Sequence, residues 1–475
     1  MALMLLRRVL GLRLRPKRSG VVVGVFTLGL LGRLALLYVT RDTTLMIVDE
    51  RHYQQLAHNL LHGYGFAWNP GGLTSIRPPL YPLFLMGVWS LAGVESPIVI
   101  RALQILLSLF TAYLVCQCGM RLFDRRTALI AAGSFWLYPS FMGFNFFLLT
   151  EILFTCLLTL VALGYIMVLH IRRYSFAFGT GCALGLAALT RSVLWPFPLL
   201  LCPLVGVAVR GSWQVRTRLA LSLFVGYVIV IAPWAIRNTR LQGVLTIVDT
   251  MGGLNLLMGN YEHTPLYRAW DAVSLTGSQA WFYHLPATPP DGMAWTEGRK
   301  EKWATRQAVE YIIAHPTLTL KRALVKFASF WGLERVIIAG WFKGMYHVPQ
   351  WCVLLGSGAI TLAYVSTMLL GSLGLCLAPP ENRSAHVFIV CLILFICGMH
   401  TVVFGHERYH LPLIPFFLLY AGAAVRRQSW RRLRAGERTV VAPLLLWAGL
   451  LAIWGWEILV VESESVRGLM HFGGT

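Results

Sequence analysis

The chain has 475 residues, 57% of them apolar and 13% charged, with a mean hydropathy of +0.64. Soluble domains rarely exceed about half apolar residues, so the composition predicts a polytopic membrane protein. The net charge of +21 does not mark a nucleic-acid binder: basic residues sit in short clusters between apolar runs, without the interleaved aromatics of a basic soluble face.

In chain order, a basic start from Arg7 to Arg18 leads into an apolar run at about 20–40. No small-residue cleavage site follows, which predicts a retained anchor rather than a signal peptide. Further basic clusters at Arg121 to Arg126, Arg172–Arg173, Arg210 to Arg218 and Arg426 to Arg438 read as cytoplasmic loops. With these placed, spans are expected at about 20–40, 98–120, 127–144, 150–170, 174–190, 192–209, 218–236, 348–375, 386–404, 409–425 and 439–460, about eleven crossings. The run 78–93 is short and interrupted by Pro78, Pro79 and Pro82. As a crossing it would send Arg121, Arg125 and Arg126 outside, so it reads as a juxtamembrane or re-entrant helix.

The expected fold is therefore all-α and multi-pass, with external segments at 41–97 and 237–347. The second carries Pro286, Pro289 and Pro290, then a helical pattern from Thr296 to about Trp331 broken at Pro316. Residues 1–347 are expected to form the catalytic module and 348–475 a carboxy-terminal set of helices. The nine cysteines lie almost entirely in apolar stretches and read as small buried hydrophobes, with no disulfide framework.

This topology brings scattered polar residues to the external face. Asp49 and Glu50 stand where the first span ends, a costly position for carboxylates without a role. One of them could act as general base toward an acceptor hydroxyl or amine; the alternative is a helix start, with Asp49 capping and Glu50 favoured by the dipole. Arg77 precedes Pro78–Pro79 on stiff backbone, and a guanidinium matches phosphate oxygens with two parallel donors. Arg237 and Arg408 have the same capacity, or could snorkel to headgroups. Glu151, Arg191 and Asn238 fall on the same face. His406 to His410 reads HERYH, matching the H-E-x-x-H zinc pattern, but Pro412 and a tight turn disfavour the helix that pattern needs. His52, His58 and His62 read as interfacial polar residues rather than ligands. Gly252–Gly253 and Gly259–Asn260 read as a turn that lets backbone approach a substrate or the membrane surface.

DERHYQQLAHNLLHGYGF followed by RPPLYPLFL resembles the first external loop of GT-C glycosyltransferases, closest to the branch of protein O-mannosyltransferases and the lipid A aminoarabinose transferase. RLFDRRTAL, LTEILF, GLAALTRS, APWAIRNTRLQG, GGLNLLMGN, VEYIIAHP and ERYHLPLIPF continue the likeness in order, from about 45 to 420. The resemblance implies an inverting transferase that moves a sugar from a polyprenyl-phosphate donor to a lipid, glycan or protein acceptor. It implies Asp49 as catalytic base and Arg77 and Arg408 as contacts to the lipid phosphate. Glu50, Tyr53, Tyr81, Glu151, Arg191, Arg237, Asn238, Asn260, Glu407 and Tyr409 are implied as further substrate or supporting contacts. No cofactor is required, although a divalent metal is compatible. The expected location is a bacterial-type plasma membrane, with membrane lipids as surroundings and the site on the extracytoplasmic side. Two other functions are open: a transporter or flippase for an anionic or lipid-linked substrate, which would favour internal repeats and midplane charges, and an intramembrane zinc protease through His406 and His410.

Overall fold

The computed structural model describes residues 16–289, 292–342, 348–435 and 437–461. The basic stretch before Pro16, Pro290, residues 343–347 of the long segment and the chain beyond 461 lie outside the described residues. The helices are α1 (Pro16–Val39), α2 (Val48–Leu61), α3 (Leu80–Ala92), α4 (Pro97–Leu122), α5 (Arg125–Trp136), α6 (Pro139–Phe144), α7 (Glu151–Ile171), α8 (Tyr174–Thr190), α9 (Pro198–Ala208) and α10 (Trp213–Gln242). They continue with α11 (Gly252–Met258), α12 (Glu297–Ala314), α13 (Pro316–Phe330), α14 (Val336–Phe342), α15 (Gln350–Leu377), α16 (Arg383–Val402), α17 (Ile414–Arg426), α18 (Trp430–Arg434) and α19 (Val441–Trp456). Among the described residues there is no β-strand, only an isolated bridge between Ala67 and Leu73.

Among the described residues, seven helices are long and apolar enough to cross a membrane: those containing 20–39, 97–122, 151–171, 213–242, 350–377, 383–402 and 438–461. Their outward residues, such as Leu28, Leu31, Leu221, Ile229, Leu355, Leu362 and Leu445, are exposed and apolar, as lipid contact requires. Of the other four expected spans, 174–190 forms the seventeen-residue α8 as expected, and three take shorter forms. Residues 127–144 divide into α5 and α6 at Pro139, and 192–209 opens with a tight turn at Ser192–Leu194 before Pro198 starts α9. Residues 409–425 begin as two short 3-10 turns around Pro412 before α17. In each case proline removes a backbone donor and restricts the residue before it. A helix of twelve residues, such as α5, rises only about 18 Å against a hydrocarbon layer of about 30 Å. The run 78–93 folds as α3, thirteen residues long, too short to cross, as expected.

Helix 17 is apolar all round and is enclosed: every residue from Ile414 to Ala424 is buried. Close backbone approach builds the bundle elsewhere. A Cβ at Gly181 would collide with the Leu223 carbonyl, and one at Gly226 with the Phe178 carbonyl, so α8 and α10 pack through small residues.

The link between α6 and α7, residues 145–150, is non-helical and buried, so its carbonyls need partners. Polar residues inside the helices supply them. Arg33 Nε donates to Asn145 Oδ1 at 2.8 Å, Arg101 Nε to the Phe146 carbonyl at 3.0 Å, and Gln104 Nε2 to the Asn145 and Phe147 carbonyls, both at 2.9 Å. Among the described residues the main hydrophobic core runs from Phe26 to Trp454, with two small clusters around Leu373 and Cys116 beside it.

Helix ends sort the polar residues. Asp124, before α5, lies 4.0 Å from Arg426 at the end of α17, and Arg427 donates to the Pro379 carbonyl beyond α15. The opposite ends of α4, α7 and α17 carry Arg101, Glu151 and the 402–413 segment. The basic clusters at 121–126, 172–173 and 426–427 and the candidate site thus occupy opposite ends of the same helices.

Candidate active site

The first turn of α2 brings Asp49 between two arginines from distant parts of the chain. Arg77 Nη2 donates to Asp49 Oδ1 at 2.7 Å, and Arg408 Nη2 donates to Oδ2 at 3.1 Å. The side chains of Asp49, Arg77 and Arg408 keep 17%, 22% and 13% of their surface exposed, so the triad is shielded yet reachable. Burial by itself would raise the Asp49 pKa, but the Arg408 and Arg77 charges overcome it and hold the carboxyl at about 2. The triad carries one net positive charge, and the buried Nε of Arg408 has no hydrogen-bond partner among the described residues. Two donors already meeting oxygens of one anion, plus a spare donor, suit a phosphate.

Aromatic rings frame the cations. Arg408 lies 5.2 Å from the Trp270 ring centre and 5.3 Å from that of Tyr409, and Arg77 lies 5.7 Å from Tyr53. Tyr53 packs edge-on against Tyr81 at 5.1 Å, and the Tyr81 hydroxyl donates to Gln104. Arg191 lies 5.0 Å from the Tyr409 ring and 3.8 Å from Glu151 Oε1, while the second Glu151 oxygen is buried without a partner. The structure therefore gathers Asp49, Arg77, Arg408, Tyr53, Tyr81, Glu151, Arg191 and Tyr409 around one region.

Glu50 differs from its neighbour and corrects the expectation that it takes part in the chemistry. It is 2% exposed, and its oxygens accept the Ile47 N–H at 3.0 Å and the Leu148 N–H at 2.9 Å. It seals the start of α2 and ties it to the buried 145–150 link. Glu50→Ala leaves two N–H groups unsatisfied, an expected destabilisation of about 1–3 kcal/mol for each; Glu50→Gln is expected to lower the unfolding temperature while keeping turnover per folded molecule. Loss of turnover in a fully folded Glu50→Gln protein would return Glu50 to the chemistry.

Arg237, expected to meet the donor phosphate, and Asn238, expected to meet substrate, turn inward instead. Arg237 donates to the Thr74 and Phe66 carbonyls, and Asn238 receives Ser75 Oγ and donates to the Val248 carbonyl. Together they hold the 66–75 stretch of the first loop. Asn260 donates to the Val402 carbonyl and accepts Lys326 Nζ, which also reaches that carbonyl. This bracket holds the segment that carries Arg408. Glu407 faces Arg335 at 3.7 Å and His406 at 3.1 Å. The HERYH segment is no zinc helix. Residues 407–409 form a 3-10 turn, His406 Nδ1 accepts the Arg408 N–H, and buried His410 bonds the Phe330 carbonyl.

Several residues of the site carried no signal in sequence reasoning. His52 Nδ1 accepts from Arg77 Nη2 at 3.0 Å, so its proton sits on Nε2. Trp270 comes from the unpatterned part of the long segment. Asp249 accepts the Met251 N–H and lies where the Arg77 charge reaches it. The Gly252–Gly253 pair is not an open turn: it starts α11, and a Cβ at Gly253 would strike Thr305 and the Glu301 carbonyl.

Glu301, on α12, is pushed up to about 7, chiefly by burial and then by the Asp249 charge. An unfolded chain releases this proton near 4.5, so between those values the folded state binds more protons. Its contribution to stability is full below about 4.5 and is lost as pH rises through about 7. Glu301→Gln is expected to flatten that part of the unfolding-temperature profile; an unchanged profile would contradict this assignment.

Fold and site together define a multi-pass helical membrane protein with a shielded carboxylate–arginine cluster at one end of its helices. The family model described as dolichyl-phosphate-mannose-protein mannosyltransferase matches residues 76–236, about a third of the chain, including Arg77 but neither Asp49 nor Arg408. The chain shares its fold with the oligosaccharyltransferase of Archaeoglobus fulgidus in the apo form: TM-score 0.50, 14% identity, 91% of this chain and 54% of that one. It thus spans about half the length of that enzyme. The same archaeal enzyme, AglB, in complex with an inhibitory peptide and a dolichol-phosphate, aligns with TM-score 0.49, 13% identity, and 92% and 55% coverage. ArnT from Cupriavidus metallidurans in the apo state gives TM-score 0.41, 15% identity, and 86% and 78% coverage. None of the curated proteins compared with the chain matches it.

Proposed function

We propose that the protein is an inverting membrane glycosyltransferase that takes a sugar from a polyprenyl-phosphate carrier. The observation that carries this reading is the Asp49 carboxylate held by Arg77 and Arg408; the mannosyltransferase family match over 76–236 supports it.

A polyprenyl-phosphate sugar is a phosphodiester with one negative charge, which complements the net charge of the triad. The arginines would exchange Asp49 for the phosphate as the donor enters. Relieved of its partners, Asp49 becomes a stronger base than it is at a pKa of about 2. It would take the proton of the acceptor hydroxyl or amine as that atom attacks the anomeric carbon. The bond from that carbon to the phosphate oxygen breaks on the opposite face, and polyprenyl phosphate departs with a growing second charge. Arg77 and Arg408 meet that charge where preorganised cations act most strongly. The two guanidiniums supply the positive charge themselves, so the reading requires no cofactor.

The site lies at the helix ends opposite the basic clusters. By the bias of positive loops to the cytoplasm, it faces the extracytoplasmic side of a bacterial-type plasma membrane. The acceptor is a lipid, glycan or protein presented at that surface. The test is incubation of the protein in lipid nanodiscs with a panel of polyprenyl-phosphate sugars, with NMR assignment of the product anomer. The expected product has the configuration opposite to the donor's; retention would overturn the single-displacement mechanism.

A further inference from the structure

We propose that His58, His62 and Glu95 form a divalent-cation site of zinc type that clips the end of α2 to the turn after α3. The proposal is independent of the glycosyl-transfer reading.

His58 and His62 are four residues apart on α2 and share one face. Glu95 stands in the turn after α3, which ends at Gly93 with φ of 66°. His58 Nδ1 lies 2.7 Å from Glu95 Oε2, and His62 Nε2 lies 3.6 Å from Glu95 Oε1. One ligand atom from each of the three residues falls within 4.8 Å of the others. Ligand atoms around a tetrahedral zinc, at about 2.0–2.1 Å from the metal, are about 3.4 Å apart. The observed separations bracket that spacing.

The hydrogen bonding of His62 points the same way. Its Nδ1 lies 2.9 Å from the His58 carbonyl oxygen, which can only accept, so Nδ1 carries the proton. Nε2 of the neutral ring then presents a lone pair toward a carboxylate oxygen. Two acceptors facing each other are reconciled either by a proton on Nε2 or by a metal cation between them, and the second histidine and the open position favour the metal. A ring N–H donated to a backbone carbonyl is also how metal-binding histidines are oriented. Two imidazoles and one carboxylate leave a fourth position for water, a donor set that favours zinc over magnesium or calcium.

The location gives the ion its role. His58 is nine residues beyond Asp49, about 13 Å along the helix, so the ion does not touch the reacting atoms. Asp49 and Arg77 join the starts of α2 and α3, and Tyr53 packs on Tyr81 between them. The clip would join the far ends of the same two helices and hold the α2–α3 pair that carries the site.

The test uses the full, tag-free protein in nanodiscs, stripped with chelator and titrated with Zn²⁺ or Mg²⁺ by calorimetry and thermal unfolding. Expected are one saturable zinc site and a raised unfolding temperature with zinc, absent with magnesium. The double variant His62→Ala with Glu95→Gln should lose the temperature shift and at least about 10–100-fold in zinc affinity. The replaced side chains are exposed (46% and 31%), so the core is untouched, and circular dichroism verifies the fold. Absence of saturable zinc binding in the wild type, or equal zinc affinity in the folded double variant, overturns the proposal. The first result would leave a simple histidine–carboxylate ion pair.

Discussion

Asp49→Asn is expected to reduce sugar transfer on the order of 10³-fold, within the range a positioned general base contributes. Asparagine keeps the size of the side chain but cannot take the acceptor's proton. Donor affinity should respond differently. Asp49 occupies the donors of Arg77 and Arg408 at 2.7 and 3.1 Å, so the carboxylate competes with the incoming phosphate. Removing its charge frees both guanidiniums, and the variant should bind polyprenyl phosphate as tightly as the wild type or more tightly. Single-turnover transfer and equilibrium binding of the carrier separate the two effects. Wild-type transfer by Asp49→Asn would remove the base assignment; a large loss of carrier binding would contradict the competition.

Arg408→Ala is expected to lower turnover by about 10²–10³-fold, the loss typical for deleting one group that stabilises transition-state charge. Donor binding should weaken as well, because Arg408 also holds its Nε in reserve beneath Trp270 and Tyr409. Arg408→Lys should recover only part of the rate. An ammonium keeps the charge but loses the planar fork and its packing on the rings. The measurement is transfer rate against donor concentration for both variants. Full activity in Arg408→Lys would show that point charge, rather than two-pronged contact, suffices.

Most spans, and the common face of Asp49, Arg77 and Arg408, were legible for one reason: charge beside a membrane is costly, so it stands out against apolar sequence. The separate roles of the three were implied only by the family resemblance. Asp49, Arg77 and Arg408 interrupt such runs, and positive loops assigned them a common face. The division of labour between Asp49 and Glu50 was not legible. Adjacent helical residues point about 100° apart, but which one meets the arginines depends on Leu148, 98 residues away, whose N–H claims Glu50. Arg237, Asn238 and Asn260 looked equally available because they also stand at helix ends. Their partners are loop carbonyls at 66–75, 248 and 402, whose positions follow from tertiary packing. Breaks at Pro139, Pro198 and Pro412 shortened apolar runs that hydropathy alone reads as full spans. His58 and His62 read from sequence as interfacial polar residues and gained significance only when the α3 turn brought Glu95 to them.

The proposed chemistry of the site is cleavage of the bond between a sugar and a polyprenyl phosphate. Phosphorus NMR of protein in nanodiscs loaded with polyprenyl-phosphate sugar and an acceptor extract follows that bond directly. The wild type is expected to convert the phosphodiester signal to the monoester of free polyprenyl phosphate, and Asp49→Asn to leave it unconverted. Conversion at the same rate by Asp49→Asn, or a phosphodiester that persists with the wild type across the sugar panel, would contradict that chemistry.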